Sequence, residues 1–339
     1  MKKYGVMVVG TGWVSGEHIR AFEMTEQSQV TAIVSRSKER GEAKVREYGL
    51  EGRCTVYTDY QEGLRDPSVD IVVICTPNDM HCEQTIMAAE AGKHILIEKP
   101  VALSWEDTKR MDEAVRKAGV KTLVGYVLHY NPLFMTAKQL QRDFIGELKY
   151  AETDYFHRVM SDIPCYEWTC KKSVGGSSLL AGGCHAVDAM RWFMRDEVVS
   201  VYAQSSKMRT DLEFDGTISI LLKFKNGAVG KVGSSYDFIS PYVFNLHLCG
   251  TKGTLWNDKL WSPGQISGQR DYMTLPVLTP NSGDVKHHPF PEEAAHFLDC
   301  IIHDKETDCP MSDAVKTQEV VFAADLSAAT GEVIHLPLK

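Results

Sequence analysis

The chain lacks most of the features that would place it outside the ordinary soluble globular proteins. No run approaches the ~18 apolar residues of a membrane span. Basic residues are not in excess: 37 Lys and Arg stand against 45 Asp and Glu, a formal net charge of −8, which argues against a nucleic-acid footprint. There is no internal repeat, no low-complexity segment and no CxxC. The nine cysteines (54, 75, 82, 165, 170, 184, 249, 300 and 309) are odd in number and scattered, several inside apolar runs such as Ile71–Cys75. That pattern suits reduced thiols in a cytoplasm rather than a disulfide framework. The N-terminus enters an apolar strand at once, so no signal peptide is expected. His287-His288 resembles a metal pair, but no third ligand is evident nearby and no metal is expected.

What is present fits a two-domain globular protein. The 339 residues are 43% hydrophobic and 24% charged, and that length exceeds one small core. Tyr4–Val9 is an apolar strand that runs into Gly10-Thr11-Gly12-Trp13-Val14-Ser15-Gly16 and then a helix from about Glu17 to Met24. Strand, glycine turn, helix is the dinucleotide fingerprint, here as G-x-G-x-x-S. Gly10 permits the turn, Gly12 lets a pyrophosphate approach the backbone at the helix N-terminus, and Ser15 is small enough for close helix–strand packing. Val30–Val34 is the second strand. Its end carries Ser35-Arg36-Ser37 with Arg40 one turn later, where an acid would favour NAD through the ribose 2′-hydroxyl. A small hydroxyl beside arginines could instead accept a 2′-phosphate, so NAD and NADP both stay open. Helices at Lys38–Tyr48, Met80–Ala91 and from Ser104 alternate with strands at Thr55–Thr58, Asp70–Cys75, His94–Ile97 and Lys121–Val124. This alternation predicts a doubly wound parallel α/β sheet, a Rossmann-type domain over residues 1–124. Within it, Ile95-Leu96-Ile97 reads as a strand buried on both faces, stopped by Glu98-Lys99-Pro100. The proline restricts Lys99 to extended backbone and leaves that lysine at the carboxyl edge of the sheet, where such sheets bind ligands.

Several of these marks together resemble one family, the glucose–fructose oxidoreductase / inositol dehydrogenase / MocA oxidoreductases. They are Gly10-x-Gly12 with His18, Thr76-Pro77-Asn78 with His81, Glu98-Lys99-Pro100, Gly125-Tyr126 leading to Asn131-Pro132, Gly175-Gly176, and His185 with Asp188 on one helix. The resemblance runs over the whole chain. It implies a bound nicotinamide nucleotide, oxidation or reduction of a sugar or cyclitol hydroxyl, and a C-terminal α+β domain (125–339) whose open, mainly antiparallel sheet supports homo-oligomers. Its branch that oxidises the 3-hydroxyl of glucosides is a further resemblance. By the same resemblance Gly10, Thr11, Gly12, Trp13 and Val14 would hold the pyrophosphate, and Ser35, Arg36 and Arg40 the adenosine end. Thr76, Pro77, Asn78 and His81 would line the nicotinamide, Glu98 and Lys99 its ribose, and Tyr126, His129, Tyr155, Trp168, His185 and Asp188 the substrate. Taken singly, several of these residues have blander readings: Asn78 is a common turn residue, and a lone His–Asp pair on a helix is more often structural.

The second domain shows strands at Lys149–Phe156, Val198–Ser205, Thr217–Phe224, Ala228–Ser234 and Val243–Cys249, with Asn226-Gly227 a hairpin turn. Residues 258–290 are too long for a featureless loop and should contain short strands or reach a neighbouring subunit. For hydride transfer from a secondary alcohol, His185 is the base by type, since imidazole titrates near working pH. Lys99 can donate to the reacting oxygen and stabilise its developing charge. Two positions depart from the family. Ala181 stands four residues before His185, where an aspartate is common, and His129 stands where arginine is frequent. With the aspartate absent, Asp188 is the expected partner of the His185 ring. The sequence thus predicts an NAD(P)-dependent sugar, glycoside or cyclitol dehydrogenase, with a glycosidase or lyase acting by transient oxidation, or a nucleotide-sensing regulator, as alternatives.

Overall fold

The computed structural model describes residues 3–163, 165–277 and 288–339. The chain divides into two compact units, 1–127 with 288–315, and 128–287 with 316–339. The sequence had suggested a single boundary near residue 124. A later segment instead returns to the first unit, because its helix carries an apolar stripe that the first unit covers.

In the first unit, β1 (Tyr4–Val9), β2 (Ser28–Val34), β3 (Thr55–Tyr57), β4 (Ile71–Ile74), β5 (His94–Ile97) and β6 (Thr122–Val124) form one sheet in the order β3-β2-β1-β4-β5-β6. Every pairing in it is parallel. β4 and the last three residues of β5 are wholly buried, as expected of strands covered on both faces. Helices α1 (Trp13–Glu23), α2 (Lys38–Glu47), α3 (Tyr60–Leu64), α4 (His81–Glu90) and α5 (Trp105–Ala118) follow successive strands. Their ends match local chemistry: Ser37, Asp59 and Ser104 accept N-terminal backbone N–H groups, and Gly119 closes α5 in the left-handed region. The strand order reverses between β1 and β4, the switch point at which open α/β sheets bind ligands.

The second unit contains α6 (Pro132–Leu140), β7 (Leu148–Phe156), two short helices α7 (Tyr166–Thr169) and α8 (Lys172–Gly175), and α9 (Cys184–Met194). Strands β8 (Val198–Ser206), β9 (Thr217–Phe224), β10 (Val229–Ser235), β11 (Val243–Gly250), β12 (Thr254–Trp256), β13 (Lys259–Trp261) and β14 (Met273–Thr274) follow. Helix α10 (Phe290–Ile302) belongs to the first unit, and α11 (Met311–Thr330) and β15 (Ile334–His335) end the chain. The sheet runs β14-β13-β12-β11-β7-β10-β9-β8-β15. It is antiparallel except for β7 with β10, which pair in parallel at its centre. Strict alternation in β9, with Ile218, Ile220, Leu222 and Phe224 inside, marks one buried and one open face. The region expected to hold short strands does hold β13 and β14. Its remainder at 278–287, including His287 of the candidate metal pair, lies outside the described residues.

Candidate functional site

In the first unit the candidate residues gather at the carboxyl ends of four neighbouring strands. The β1 turn is pinned to β2, since Gly10 N–H donates to the Val34 carbonyl at 2.9 Å. Gly10 sits at φ +106°, and a Cβ there would come within 2.7 Å of the Cys75 carbonyl oxygen. A Cβ on Gly12, in contrast, would meet nothing within 4 Å. No side chain caps the N-terminus of α1 there. An open approach over a glycine to an uncapped helix N-terminus is what a pyrophosphate needs, so these residues fit the nucleotide. Ser15 is fully buried and donates to the Gly12 carbonyl at 2.6 Å, the close-packing position the sequence assigned to it. Thr11 and Val14 are half-buried and Trp13 is exposed beside the turn. At the end of β2, Ser35 is buried while Arg36 and Arg40 are exposed, and among the described residues neither guanidinium has an ion-pair partner.

The ends of β4 and β5 are tied together. Thr76 hydroxyl donates to Gln84 Oε1 at 2.6 Å, Asn78 is buried, and Pro77 precedes its turn. The two ring nitrogens of His81 lie 2.8 Å from the Pro100 carbonyl and 3.0 Å from that of Thr76. Burial pushes the His81 proton affinity down against the pull of these carbonyls. A neutral ring has one N–H to give, so one of these two carbonyls receives a hydrogen bond and the other only lies against the second nitrogen.

Glu98 is buried against His18, whose Nε2 lies 2.7 Å from Oε1. Burial raises the Glu98 carboxyl, but the bond from His18 and the charges of His18 and Lys99 outweigh it and hold the group below its usual range. The Lys99 N–H donates to Glu98 Oε2 at 3.2 Å. Lys99 itself is half-buried immediately after β5. Its acid neighbour is therefore fixed and ionised, a local geometry that the tripeptide alone implied only as an extended stop.

The sequence reading missed Glu293. It is fully buried on α10, and neither carboxyl oxygen has a hydrogen-bond partner among the described residues. Burial, and then the charge of Glu98, push it well above its ordinary value, so it stays protonated. One turn earlier, Phe290 packs edge-on against the His18 ring at 5.0 Å. A signal existed: Glu293 lies between Phe290 and Phe297 at helical spacing, an acid inside an apolar stripe.

In the second unit His185 is buried at the start of α9, preceded by a π-helical turn over Leu179–Gly183. Gly182 and Gly183, the pair expected to open an apolar helix over Ser178–Phe193 in part, lie in that turn. A Cβ on Gly182 would come 2.4 Å from the Tyr155 ring, and one on Gly183 would meet Ser234 at 2.6 Å. Thr153 hydroxyl donates to the Ala186 carbonyl at 2.8 Å, fastening β7 to α9. Tyr155, two residues on and so on the same face, reaches the His185 ring at 6.3 Å between centroids.

Asp188 takes a role the sequence did not assign. Its carboxylate pairs with His129 Nε2 at 2.8 Å and accepts from the Thr317 hydroxyl at 3.3 Å, all buried. His129 also stacks on Trp192 at 4.3 Å. The histidine found where arginine is frequent thus supplies a cation-capable partner for a buried acid. Trp168 is half-exposed on α7, and Tyr126, in the first unit, is fully buried.

Residues 4–126 match the family described as "Oxidoreductase family, NAD-binding Rossmann fold", and residues 134–256 match the Gfo/Idh/MocA C-terminal domain. The chain belongs to the Gfo/Idh/MocA oxidoreductase family. It is similar to myo-inositol 2-dehydrogenase of Thermotoga maritima, 28% identical over 82% of this chain and 78% of that one. Similar too is the NAD+-dependent scyllo-inositol 2-dehydrogenase of Bacillus subtilis, 29% identical over 89% and 87%. A levoglucosan dehydrogenase solved with NADH and levoglucosan shares the fold, with a TM-score of 0.86 and 23% identity over 99% of this chain and 100% of that one. This Gfo/Idh/MocA protein is an oxidoreductase with an NAD-binding Rossmann domain.

Proposed function

We propose that this enzyme transfers a hydride between a nicotinamide nucleotide and a secondary hydroxyl of a sugar, glycoside or cyclitol. The observation that carries the reading is Lys99, held after β5 beside a fixed, ionised Glu98 on the sheet edge that also bears the open glycine turn. The relatives act on inositols, and a fold neighbour was solved with levoglucosan. Bound nicotinamide supplies the hydride acceptor. In this reading His185 takes the proton of the reacting hydroxyl, and Lys99 donates a hydrogen bond to that oxygen as charge builds on it. Gly10, Thr11, Gly12, Trp13 and Val14 receive the pyrophosphate, Ser35, Arg36 and Arg40 the adenosine end, and Thr76, Pro77, Asn78 and Glu98 the nicotinamide riboside. His81 serves them by clasping the strand ends. Trp168 and Tyr155 face the substrate, while His129 and Asp188 pair with each other inside the second unit.

The test uses nucleotide binding and turnover together, with myo-inositol, levoglucosan and D-xylose as probes. Lys99→Ala should bind nucleotide to within about threefold yet lose on the order of 100-fold in kcat, the usual weight of a positioned proton donor. Wild-type turnover by Lys99→Ala would sink the assignment. Aglycone release from glycosides without net change in nicotinamide absorbance would transfer the same residues to a hydrolase. A cytoplasmic setting follows in this reading from nine free thiols and no disulfide. Among the described residues no helix is long and apolar enough to cross a membrane. The open face of the large sheet, with Tyr202, Leu221 and Trp256 exposed on it, is the surface we assign to self-association.

A further inference from the structure

The helix that carries His185 begins at Ser178 and passes through the π-helical turn before it becomes α9. Ser177, the residue before it, caps this start: its Oγ accepts the Leu180 N–H at 3.0 Å. A serine hydroxyl that accepts in this way still has its own proton to place. That proton goes to α11, since Ser177 Oγ donates to Asp325 Oδ2 at 2.8 Å, across 148 residues of chain. Asp325 is itself held in place. Two residues further on, Ser327 is buried and its Oγ accepts the Ala203 N–H of β8 at 2.9 Å. Burial pushes the Asp325 carboxyl up to about 6, against the Ser177 bond and the charge of Lys172. At neutral pH it is therefore a carboxylate that can only accept, and a negative charge suits a helix N-terminus.

We infer that Asp325 is a positioning residue for His185, acting through the Ser177 cap. The inference rests on the proposed role of His185 as base. A π-helical turn bonds i to i+5, one residue more than an α-turn. Releasing one end lets it rewind into α geometry, which turns the adjoining residues by about 100°. Downstream the end is fixed one residue past His185, where the Thr153 hydroxyl bonds the Ala186 carbonyl. Upstream it is fixed by the Ser177–Asp325 bond and by Ser234 Oγ, which donates to the Ser178 carbonyl at 3.1 Å. Between the two ends, Gly182 and Gly183 add backbone freedom that those bonds must remove. Ala181 brings no carboxylate to the turn; the acid that serves this helix comes from α11.

The experiment compares Asp325→Ala, Asp325→Asn, Ser177→Asp and the double variant Ser177→Asp, Asp325→Ala in the full chain. Two readouts need no substrate: amide exchange over 178–184, and deuterium exchange at the His185 imidazole C2, both by mass spectrometry at about pH 7.5. Asp325→Ala should speed the amide exchange at least about tenfold and shift the His185 rate at least about twofold. Asp325→Asn keeps an acceptor oxygen and should stay near wild type. Aspartate caps a helix with no hydroxyl proton to place. Ser177→Asp should therefore repair Asp325→Ala, yet harm the wild type, where it meets a second carboxylate. An effect of the same sign in both backgrounds overturns the inference. So does faster amide exchange with an unmoved His185 rate, the outcome of a purely structural cap. With whichever of myo-inositol, levoglucosan and D-xylose the wild type oxidises, Asp325→Ala should lower kcat about tenfold with KM changed by less than about twofold, and the double variant should recover it. Unchanged kcat overturns the positioning role. A wild type that oxidises none of the three removes the dehydrogenase reading, while the His185 exchange still decides the link to Asp325.

Discussion

At the scale of single residues, charge placement separates the two carboxyls of the first unit. Glu98 is buried with a histidine and remains ionised; Glu293 is buried with nothing to bond and remains protonated. The sign of the pH effect follows. The folded chain holds a proton on Glu293 that the unfolded chain releases above its ordinary value of 4.5, so this residue lowers stability as pH rises from 4.5 towards its native value. Each pH unit in that window costs up to about 1.4 kcal/mol. Glu293→Gln should flatten this decline, as urea unfolding at about pH 5 and about pH 7.5 would show; parallel pH profiles for variant and wild type would contradict it. At the nucleotide's other end, the exposed and unpaired Arg36 and Arg40 are suited to a 2′-phosphate. The double Arg36→Ala, Arg40→Ala protein should lose at least about tenfold in affinity for NADP and no more than about twofold for NAD. Calorimetric titration with each nucleotide measures this, and equal losses for the two would remove the arginines from the ribose end.

At the scale of elements, the β1–α1 turn shows two glycines conserving different things in the structure. Gly10 is required by its backbone, at φ +106° and against the Cys75 carbonyl. Gly12 has ordinary extended backbone and open space beyond it, so it is required only by what binds there. Gly10→Ala should therefore cost roughly 2 kcal/mol or more in folding stability. Gly12→Ala should cost at most about 1 kcal/mol yet weaken nucleotide binding. Thermal unfolding paired with binding titration separates the two effects, and a Gly12→Ala protein with unchanged affinity would deny the pyrophosphate its place. The Rossmann elements were legible because strand runs and caps are local: Asp59 and Ser104 cap as their sequence context suggests, and Ser37 caps as well. The π-helical turn before His185 was legible only as an opening at Gly182-Gly183, because what stands against those glycines comes from distant strands: a Cβ on Gly182 would come 2.4 Å from the Tyr155 ring. Asp188, three residues from His185 on the same helix, also has its carboxylate against His129, 59 residues away, a contact that no local spacing announces.

At the scale of the whole molecule, the large sheet sets the remaining question. Its outer face pairs Tyr202 with Leu221 across β8 and β9, and carries Trp256 on β12. Apolar exposure spread over several strands of one open face is a surface that association covers. Light scattering after size exclusion should give a homo-oligomer at micromolar concentration. Placing a charge on this face, as in Leu221→Asp, should shift it towards smaller species without unfolding. A monomeric wild type would remove this face from consideration.

The amino-acid sequence by itself determined the doubly wound domain, its glycine turn, the Lys99 stop and the position of His185, because each depends on neighbours a few residues away. Only the tertiary structure decided what those residues meet. A buried acid without a partner, a histidine pinned between two strand ends, and a phenol packed beside the His185 ring arise from side chains brought together over tens to hundreds of residues, and no local pattern encodes those distances. Lys99 was conspicuous from the start; the ionised Glu98 that His18 holds beside it became visible only when β5 and α1 were folded together.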